Sequence, residues 1–183
     1  QTVMRESQRL SRMVGNILDF SRMESGRKTW DFVDTDVAGI VHATLREFEP
    51  MLEDQGFTVE IAIDDDLPMI KADPEALVTA VANLLTNAIR YSPDRKQLKV
   101  CLYATGPQIA LDIADRGVGI PEGESTIIFE KYRRASNAAD VATGTGLGLA
   151  LVAGIAKSHG GAVGALPRDG GGSLFRLTLP TRS

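Results

Sequence analysis

The chain has 183 residues, 43% of them hydrophobic, and its 24 acidic and 20 basic side chains give a formal net charge of -4. This length supports one hydrophobic core with an appended element, and the acidic excess argues against a protein held to nucleic acid mainly by phosphate contacts. Cys101 is the only cysteine, which excludes an intrachain disulfide and a thiolate zinc site. No apolar run approaches the length of a membrane span, so we expect a cytoplasmic location and no contact of this segment with membrane or nucleic acid.

The first 25 residues are predicted to form one amphipathic helix, because apolar side chains recur at three- and four-residue spacing between Arg and Ser. The apolar positions are Leu10, Met13, Val14, Ile17, Leu18 and Phe20. Gly26 follows at the place where helices commonly end on a glycine. A single helix cannot bury its own apolar stripe, so we expect this one to pack on the globular part, on another helix or on another chain.

From Trp30 onward, helical and strand patterns alternate, which is typical of an α+β fold. Helices are predicted after Thr35-Asp36, after Asp73-Pro74, and over residues 147–157. Alternating apolar residues predict strands at 57–63, 98–102, 109–113 and 174–179, and the second and third form a hairpin around Thr105-Gly106-Pro107. Cys101 lies in one of these strands, where we expect it to be inert. Residues 115–145 lose this periodicity, as long functional connections do.

Three polar side chains share one face of the helix that begins at Asp73-Pro74. Asn83, Asn87 and Arg90 fall at i, i+4 and i+7, within roughly 60° of one another at about 100° per residue. The opposite arc carries Leu77, Val81, Leu84, Leu85 and Ala88. Asn inside a helix costs about a few tenths of a kcal/mol relative to Lys or Glu, so the stripe indicates binding of a metal ion and phosphates. An ordinary solvent-exposed helix face is the alternative.

A second motif, Asp115-Arg-Gly-Val-Gly-Ile120, directly follows a predicted strand. Its two glycines, Gly117 and Gly119, permit a tight turn and close approach to a flat ligand. A carboxylate at the strand end can accept a hydrogen bond from the exocyclic amine of adenine, whereas it would repel the carbonyl oxygen that guanine presents there. A common Asp-x-Gly turn without a ligand is the alternative.

Two further segments carry groups suited to phosphate. The glycine-rich run Thr143–Leu149 leads directly into a helix, so its backbone N–H groups can face an anion, aided by the helix dipole. It is neither a Walker A loop nor the dinucleotide-binding fingerprint, and a glycine-rich hinge is the alternative. Residues 128–134 combine three cations with two aromatic side chains and could reach a triphosphate, with a basic surface patch as the alternative.

In this order the four segments resemble the catalytic and ATP-binding domain of bacterial sensor histidine kinases, within the superfamily that includes gyrase, heat-shock protein 90 and the mismatch-repair ATPases. Residues 83–91 resemble the N box, 115–120 the G1 box, 128–134 the F box and 144–149 the G2 box, and His159-Gly160-Gly161 resembles the usual end of the last helix. The resemblance covers residues 30–181. It implies an α+β fold, a two-layer α/β sandwich of the Bergerat type with a mixed sheet and helices on one face, plus the N-terminal amphipathic helix.

The resemblance also implies roles for individual residues. Asn87 would be the Mg²⁺ ligand, with Asn83 nearby, and these two are the candidates for catalysis. Arg90, where the family usually has Lys, would contact phosphate, Tyr91 the adenine face and Asp115 the adenine amine, while Gly117 and Gly119 would let the base in. Arg134 and Lys131 would meet the terminal phosphates. The other expected ATP contacts are Ile120, Tyr132, Gly144, Thr145, Gly146, Leu147 and Gly148.

Residues 9–26 resemble the second helix of the dimerisation and phosphoacceptor hairpin, so we expect a boundary between residues 1–26 and a catalytic domain at 27–183, with a lid at about 115–145. In the family, the first helix of that hairpin carries the histidine that receives the phosphoryl group. Neither His42 nor His159 has the acceptor context, and a structural role is expected for His159. We therefore expect part of a longer kinase that lacks its acceptor, and we expect any membrane anchor of that kinase to lie outside this segment. Its expected partners are the acceptor helix of the same homodimeric kinase and a response regulator.

The motifs leave two other functions open. A gyrase-like ATPase or an anti-sigma serine kinase of the same superfamily has Glu at the position of Asn83, where it activates water or a hydroxyl. An amide cannot act as a base, so Asn83 argues against an efficient ATPase. The second alternative is a nucleotide-binding scaffold or sensing module without catalysis, for which the N-terminal helix would be the interaction element.

Overall fold

The computed structural model describes residues 14–138 and 145–181, in which three helices pack on one face of a five-stranded sheet. The strands are β1 (Val33–Thr35), β2 (Thr58–Ile63), β3 (Ile70–Ala72), β4 (Gln97–Thr105), β5 (Gln108–Asp115), β6 (Ala162–Pro167) and β7 (Ser173–Pro180). The helices are α1 (residues 14–24), α2 (Val37–Gln55), α3 (Pro74–Arg90) and α4 (Gly148–Ser158), with 3₁₀ turns at Ile127–Phe129 and Ser136–Ala138. The predicted α+β sandwich is confirmed.

The sheet has the strand order β2-β4-β5-β7-β6, in which β2 and β4 are parallel and the other neighbours are antiparallel. β1 and β3 form a separate antiparallel pair. The predicted hairpin is β4–β5, which turns at Gly106 with a φ of 58°. β1, β3 and β6 were not predicted, because β1 and β3 have only three residues each and β6 contains Gly164 and Pro167, which are weak strand formers.

The hydrophobic core lies between the sheet and the facing sides of α2, α3 and α4. The strands β4, β5 and β7 contribute every second residue to it: Leu98, Val100, Leu102, Ile109, Leu111, Ile113, Phe175, Leu177 and Leu179. The strand predicted around residues 57–63 is confirmed as β2, but at the edge of the sheet it is less covered, and Ile61 is 48% exposed. The apolar arc predicted for α3 is buried throughout.

The other face of the sheet is covered by long polar side chains. Asp112 on the central strand β5 is buried and accepts two hydrogen bonds of 2.7 Å from the guanidinium of Arg176, which raises the pKa of that arginine. The Tyr103 hydroxyl donates to the same carboxylate at 3.2 Å. Burial raises the pKa of the nearby Cys101 thiol, which favours its protonated form and agrees with its expected inertness.

α3 begins at Asp73-Pro74, as predicted. The Asp73 Oδ1 accepts the Ala76 N–H at 3.0 Å, and Pro74 occupies the first turn of the helix. The Asp73 Oδ2 accepts the Asp31 N–H at 3.1 Å, and the Asp73 N–H donates to Nε2 of His159 at 3.0 Å. One residue therefore joins the start of α3 to the segment that follows α1 and to the end of α4.

His159 is buried, and both of its ring nitrogens are used within the fold. Because Nε2 accepts from Asp73, Nδ1 carries the proton and donates to the Ile155 carbonyl at 2.8 Å. The ring also contacts the aromatic rings of Trp30 and Phe32, with centroids 5.5 and 4.9 Å away. Burial lowers the pKa of His159, against the opposing effects of the Ile155 carbonyl and Asp73. The structural role predicted for His159 is confirmed.

We expect the free energy of unfolding to decrease as the pH falls below 6.5, the usual pKa of histidine. The unfolded chain takes up a proton near that pH, whereas the folded chain, in which the His159 pKa is lowered, takes it up only at lower pH. One such group gives a slope of at most about 1.4 kcal/mol per pH unit. Urea unfolding of the parent chain and of His159→Gln at about pH 7.5 and about pH 5.5 measures the difference.

The His159→Gln variant should be less stable at both pH values and should lose less stability between them. The control is His42→Gln, which changes an exposed histidine on α2 and should keep the pH dependence of the parent. The same pH dependence in the parent and in His159→Gln would contradict the role assigned to this ring.

Candidate functional site

A cavity of about 740 Å³ opens between α3, the start of α4, the end of β5 and the connection that follows it. Most of the site residues predicted from the sequence line this cavity: Asn83, Asn87, Arg90, Tyr91, Asp115, Gly119, Ile120, Arg134, Thr145, Gly146 and Gly148. Gly117, Lys131, Tyr132 and Leu147 are not in its lining, and Gly144 lies outside the described residues. Segments that are far apart in the chain therefore meet around one space.

Asp115 is the buried acid of the cavity, with 1% of its surface exposed. Its Oδ1 accepts the N–H groups of Gly117 at 2.8 Å and Ser173 at 3.1 Å, while Arg168 donates to its carbonyl oxygen at 2.9 Å. Burial raises the pKa of Asp115, and the two N–H groups and the charge of Arg168 oppose that rise. Within the described chain both hydrogen bonds to this carboxylate end on Oδ1, so Oδ2 can accept a donor from a ligand.

Two glycines let the end of β5 pass between neighbouring backbones. A Cβ on Gly117 would lie 1.9 Å from the carbonyl oxygen of Tyr91, and a Cβ on Gly172 would lie 2.1 Å from that of Asp115. Gly117 therefore lets the turn after β5 pack against the end of α3, behind Asp115. Gly119 does line the cavity, and its φ of 74° lies in the left-handed region that favours glycine.

Around Asp115 the walls of the cavity are mostly apolar. Ile120 was predicted there, but Ile128, Ser173 and Phe175 were not. The alternation of β7 placed Phe175 on the core face, and the sequence carries no signal that distinguishes a core residue from one that also faces a cavity. An apolar slot with a buried carboxylate suits a flat heterocycle that carries an amino group.

The two asparagines of α3 are in different states. The Asn83 Nδ2 donates to the Thr79 carbonyl at 2.8 Å, and its Oδ1 accepts from Nδ2 of Asn16 at 2.8 Å. A Cβ on Gly148, at the start of α4, would lie 2.8 Å from the same Oδ1. None of the described residues hydrogen-bonds the Asn87 carboxamide, which also lines the cavity. Asn87 is thus the asparagine whose oxygen can take a metal ion.

The glycine-rich segment packs against the basic segment. The Gly146 carbonyl accepts the Tyr132 N–H at 3.1 Å, and a Cβ on Gly146 would lie 2.8 Å from the carbonyl carbon of Tyr132. Leu147 is buried, and its N–H donates to Oγ1 of Thr145 at 3.4 Å. The start of α4 lines the cavity through Gly148, so the positive end of this helix dipole faces the space.

The cations of the predicted basic segment have different surroundings in the structure. Arg134 lines the cavity, and so does Arg133, a cation of the predicted segment to which the resemblance gave no role of its own. Lys131 instead forms an ion pair with Glu24 of α1, and its ammonium lies 5.1 Å from the ring centre of Phe20. Tyr132 has a φ of 60° and is 72% exposed. The sequence could not show which of these side chains face the cavity, because that depends on how the backbone turns between them.

α1 is a part of the site that was not predicted. Gly15, Asn16 and Asp19 line the cavity, and Met23 packs on α4, where a Cβ on Gly154 would lie 2.0 Å from its Cε. The helix ends at Gly26, as predicted, with a φ of 65°. A contact between residues separated by 67 positions, such as Asn16 with Asn83, leaves no pattern in the local sequence.

Within residues 14–138 and 145–181, no group of three or more His, Cys, Asp or Glu side chains is placed to hold a metal ion. No helix in the same part of the chain is long and apolar enough to cross a membrane.

Known proteins resemble this chain in both sequence and fold. Residues 72–183 match the family model described as histidine kinase-, DNA gyrase B-, and HSP90-like ATPase. The chain is 33% identical over 184 residues to the sensor-like histidine kinase SenX3 of Mycolicibacterium smegmatis. The match covers 98% of this chain and 47% of that protein. The chain thus spans about half the length of this curated relative.

Solved structures of histidine kinases superpose on the fold. Full-length ShkA in complex with AMPPNP gives a TM-score of 0.80 at 27% identity, over 98% of this chain and 37% of that one. The mycobacterial sensor histidine kinase MprB gives a TM-score of 0.72 at 29% identity, over 83% of this chain and 99% of that one. On the match over residues 72–183, this chain belongs to the histidine kinase-, DNA gyrase B-, and HSP90-like ATPase family.

Proposed function

We propose that this chain binds Mg-ATP and positions the γ-phosphate for transfer to a histidine in two-component signal transduction. The observation that carries the proposal is a cavity that joins the buried carboxylate of Asp115 to the carboxamide of Asn87. Asn83 lies eight residues before Tyr91, which is about 12 Å along the helix axis. The carbonyl of Tyr91 contacts the Gly117 backbone beside Asp115, so α3 separates an adenine end from a phosphate end.

At the adenine end, Oδ2 of Asp115 accepts the exocyclic amine of adenine. Guanine presents a carbonyl oxygen at that position, which the carboxylate repels. The N–H groups of Gly117 and Ser173 hold Oδ1 in place, so recognition requires little reorganisation of the carboxylate. Ile120 and Phe175 supply apolar walls, and burial of the base against them adds affinity without base selectivity.

At the phosphate end, Arg90, Arg133, Arg134 and the start of α4 supply positive potential. Asn87 would hold Mg²⁺, with Asn83 nearby, because neutral amide oxygens suit a metal ion whose remaining ligands are phosphate oxygens and water. When bound there, Mg²⁺ neutralises charge on the β- and γ-phosphates. These groups fix the γ-phosphate in position, and positioning with charge neutralisation accounts for most of the catalysis of phosphoryl transfer.

In the proposed reaction, a nitrogen of the acceptor imidazole attacks the γ-phosphorus, the bond from that phosphorus to the bridging oxygen breaks, and ADP leaves. The acceptor is a histidine outside this chain. His159 is buried with both nitrogens occupied, and His42 lies on α2 away from the cavity. Asn83 is an amide and cannot activate water, so hydrolysis is expected to be slow.

The proposed organisation follows the same reasoning. Residues 1–26 would be the C-terminal helix of a dimerisation and phosphoacceptor domain, and residues 27–183 the catalytic domain with a lid at about 115–145. Val14, Ile17 and Leu18 are exposed on α1, which supports pairing of that face with the acceptor helix of a homodimeric kinase. A response regulator would receive the phosphoryl group, on the cytoplasmic side of the membrane.

The first test is calorimetric titration of the chain with ATP, ADP and GTP, with Mg²⁺ and with a chelator, together with a phosphate-release assay. The proposal expects binding that selects adenine and depends on magnesium, negligible release of phosphate, and phosphorylation of an added acceptor hairpin. Binding without phosphorylation of any hairpin would favour a nucleotide-binding scaffold instead. Rapid hydrolysis would favour a related ATPase and would contradict the role given to Asn83.

Asp115→Asn should weaken ATP binding more than tenfold, by about 1.4 kcal/mol or more. The amide that replaces Oδ2 presents a donor to the amine of adenine. Asp112→Asn is the matched control, since this buried aspartate on the same strand binds Arg176 and does not line the cavity. The control should lower stability and leave ATP affinity within about twofold. Equal affinity losses in the two variants, measured by calorimetry, would contradict the assignment of Asp115.

Asn87→Ala should abolish the magnesium dependence of nucleotide binding, because it removes the carboxamide oxygen that no described residue occupies. Affinity measured with a chelator should be unchanged, which separates loss of the metal ligand from damage to the cavity. Gln55→Ala, which removes an exposed carboxamide from the end of α2, should keep the magnesium dependence. If Asn87→Ala still binds ATP more tightly with Mg²⁺ than without it, to the same extent as the parent, the metal site lies elsewhere.

A further inference from the structure

The β6–β7 turn, residues 168–172, has a backbone that needs support from outside the turn. Its last three residues are Gly170, Gly171 and Gly172, with φ of 79°, 93° and 97°. Glycine has the widest choice of backbone conformations, so fixing three in a row loses much conformational entropy. Inside the turn, the Gly171 N–H donates to the Arg168 carbonyl at 3.1 Å. One hydrogen bond is a small gain beside that loss, so the observed conformation depends on contacts from other elements.

Two arginines from other parts of the chain supply these contacts. Arg116, directly after β5, donates through Nη1 to the carbonyls of Asp169 at 2.5 Å and Gly171 at 3.4 Å. Arg95, in the connection between α3 and β4, donates through its own Nη1 to the Gly170 carbonyl at 2.9 Å. Hydrogen bonds from a charged donor are stronger than those between neutral groups. Three successive carbonyls of the turn are therefore held by two guanidinium groups that approach from different elements.

The same turn delivers a donor to the buried acid of the cavity. Ser173 directly follows Gly172, and its N–H donates to Oδ1 of Asp115 at 3.1 Å. The other N–H on this oxygen belongs to Gly117, two residues along the chain from Asp115 itself. Within the described chain, Ser173 is thus the residue that ties the carboxylate to another element. The position of the β6–β7 turn therefore sets the direction of Oδ2, the oxygen that the proposed function gives to the adenine amine.

The two arginines act from outside the cavity. In the part of the chain that the structure describes, neither Arg95 nor Arg116 lines the cavity, whereas Ser173 does. Arg95 is exposed and Arg116 is half-buried. A ligand in the cavity is therefore not in contact with either guanidinium, and any effect of these residues on the ligand passes through the turn.

This inference rests on the proposed function, in which Asp115 selects adenine. We propose that Arg116 and Arg95 are positioning residues for adenine recognition: they fix the β6–β7 turn so that its Ser173 N–H holds Asp115 with Oδ2 directed at the amine of the base. A loosened turn lowers affinity only for a base that carries this amine. The phosphates and the metal ion bind at the other end of the cavity and keep their contribution.

The test measures the affinity of two nucleotides by calorimetry in the presence of Mg²⁺. One is ATP, and the other is purine riboside triphosphate, which is ATP without its exocyclic amine. The parent should bind ATP more tightly, and the ratio of the two affinities measures recognition of the amine. In Arg95→Ala/Arg116→Ala, the ATP affinity should fall about fivefold, as for loss of one net hydrogen bond, while the affinity for the analogue stays within about twofold.

Single variants keep the test informative if the double variant does not fold. Arg95→Ala changes an exposed side chain and should lower the preference for ATP in the same direction. Arg46→Ala is its matched control, because it removes an exposed arginine of α2 that does not line the cavity. This control should keep both affinities of the parent. Arg116→Lys, which retains a cationic donor, should recover part of the preference for ATP that Arg116→Ala loses.

Hydrogen exchange of the Ser173 amide, followed by NMR without nucleotide, gives an independent reading. The exchange should be faster in Arg95→Ala/Arg116→Ala than in the parent, because the turn opens more often when its carbonyls are released. In Arg46→Ala it should equal that of the parent. An unchanged exchange rate in the double variant would overturn the positioning role.

The outcomes separate this inference from the proposed function. If the double variant keeps the preference of the parent for ATP, the positioning role is overturned and the proposed function stands. Equal losses of affinity for both nucleotides would mean that the arginines support the cavity as a whole, which also overturns it. If the parent binds ATP and the analogue equally well, recognition of the amine fails and the inference fails with it, although nucleotide binding stands. If the parent binds neither nucleotide, the proposed function itself fails.

Discussion

The site depends on the passage of one strand end between two backbones. β5 ends at Asp115. The chain that continues from it lies against the Tyr91 carbonyl on one side and the β6–β7 turn on the other. Both contacts are so close that a residue with a Cβ at position 117 or 172 would clash with the neighbouring backbone. The contact with the turn brings the Ser173 N–H onto the carboxylate. A buried acid costs free energy unless donors satisfy it, so this packing is what keeps an acceptor in the apolar end of the cavity.

α3 fixes the position of the other polar groups of the cavity relative to this strand end. Its start is fixed by the Asp73 cap and by the ring of His159, and its end by the contact between Tyr91 and the turn after β5. With both ends held, the helix acts as a rigid spacer at about 1.5 Å per residue. The distance between the Asp115 carboxylate and the Asn87 carboxamide is therefore set largely by helix geometry.

The two carboxamides of α3 show how identical residue types acquire different roles. The carboxamide of Asn87 has no hydrogen-bond partner among the described residues, whereas Asn83 is held at both ends of its amide by Thr79 and Asn16. Their positions on one helical stripe follow from the sequence, but the hydrogen bond from Asn16 to Asn83 depends on how α1 packs. Local periodicity also placed the capped start of α3, the β4–β5 hairpin and the buried arc of α3 correctly. It missed β6, whose Gly and Pro conceal a strand that only pairing with β7 stabilises.

What the sequence by itself determined is the local chemistry: an Asn-rich stripe at helical spacing, an acid followed by two glycines at a strand end, and glycines before a helix. Each of these follows from interactions within about a dozen residues, and each therefore appears as a pattern. Only the tertiary structure decided that Arg133 lines the cavity while Lys131 turns to Glu24, and that Asn16 reaches Asn83 across 67 positions. Contacts of that range depend on how whole helices pack, and hydrophobic periodicity shows which face of a segment is buried but not which distant residue it meets.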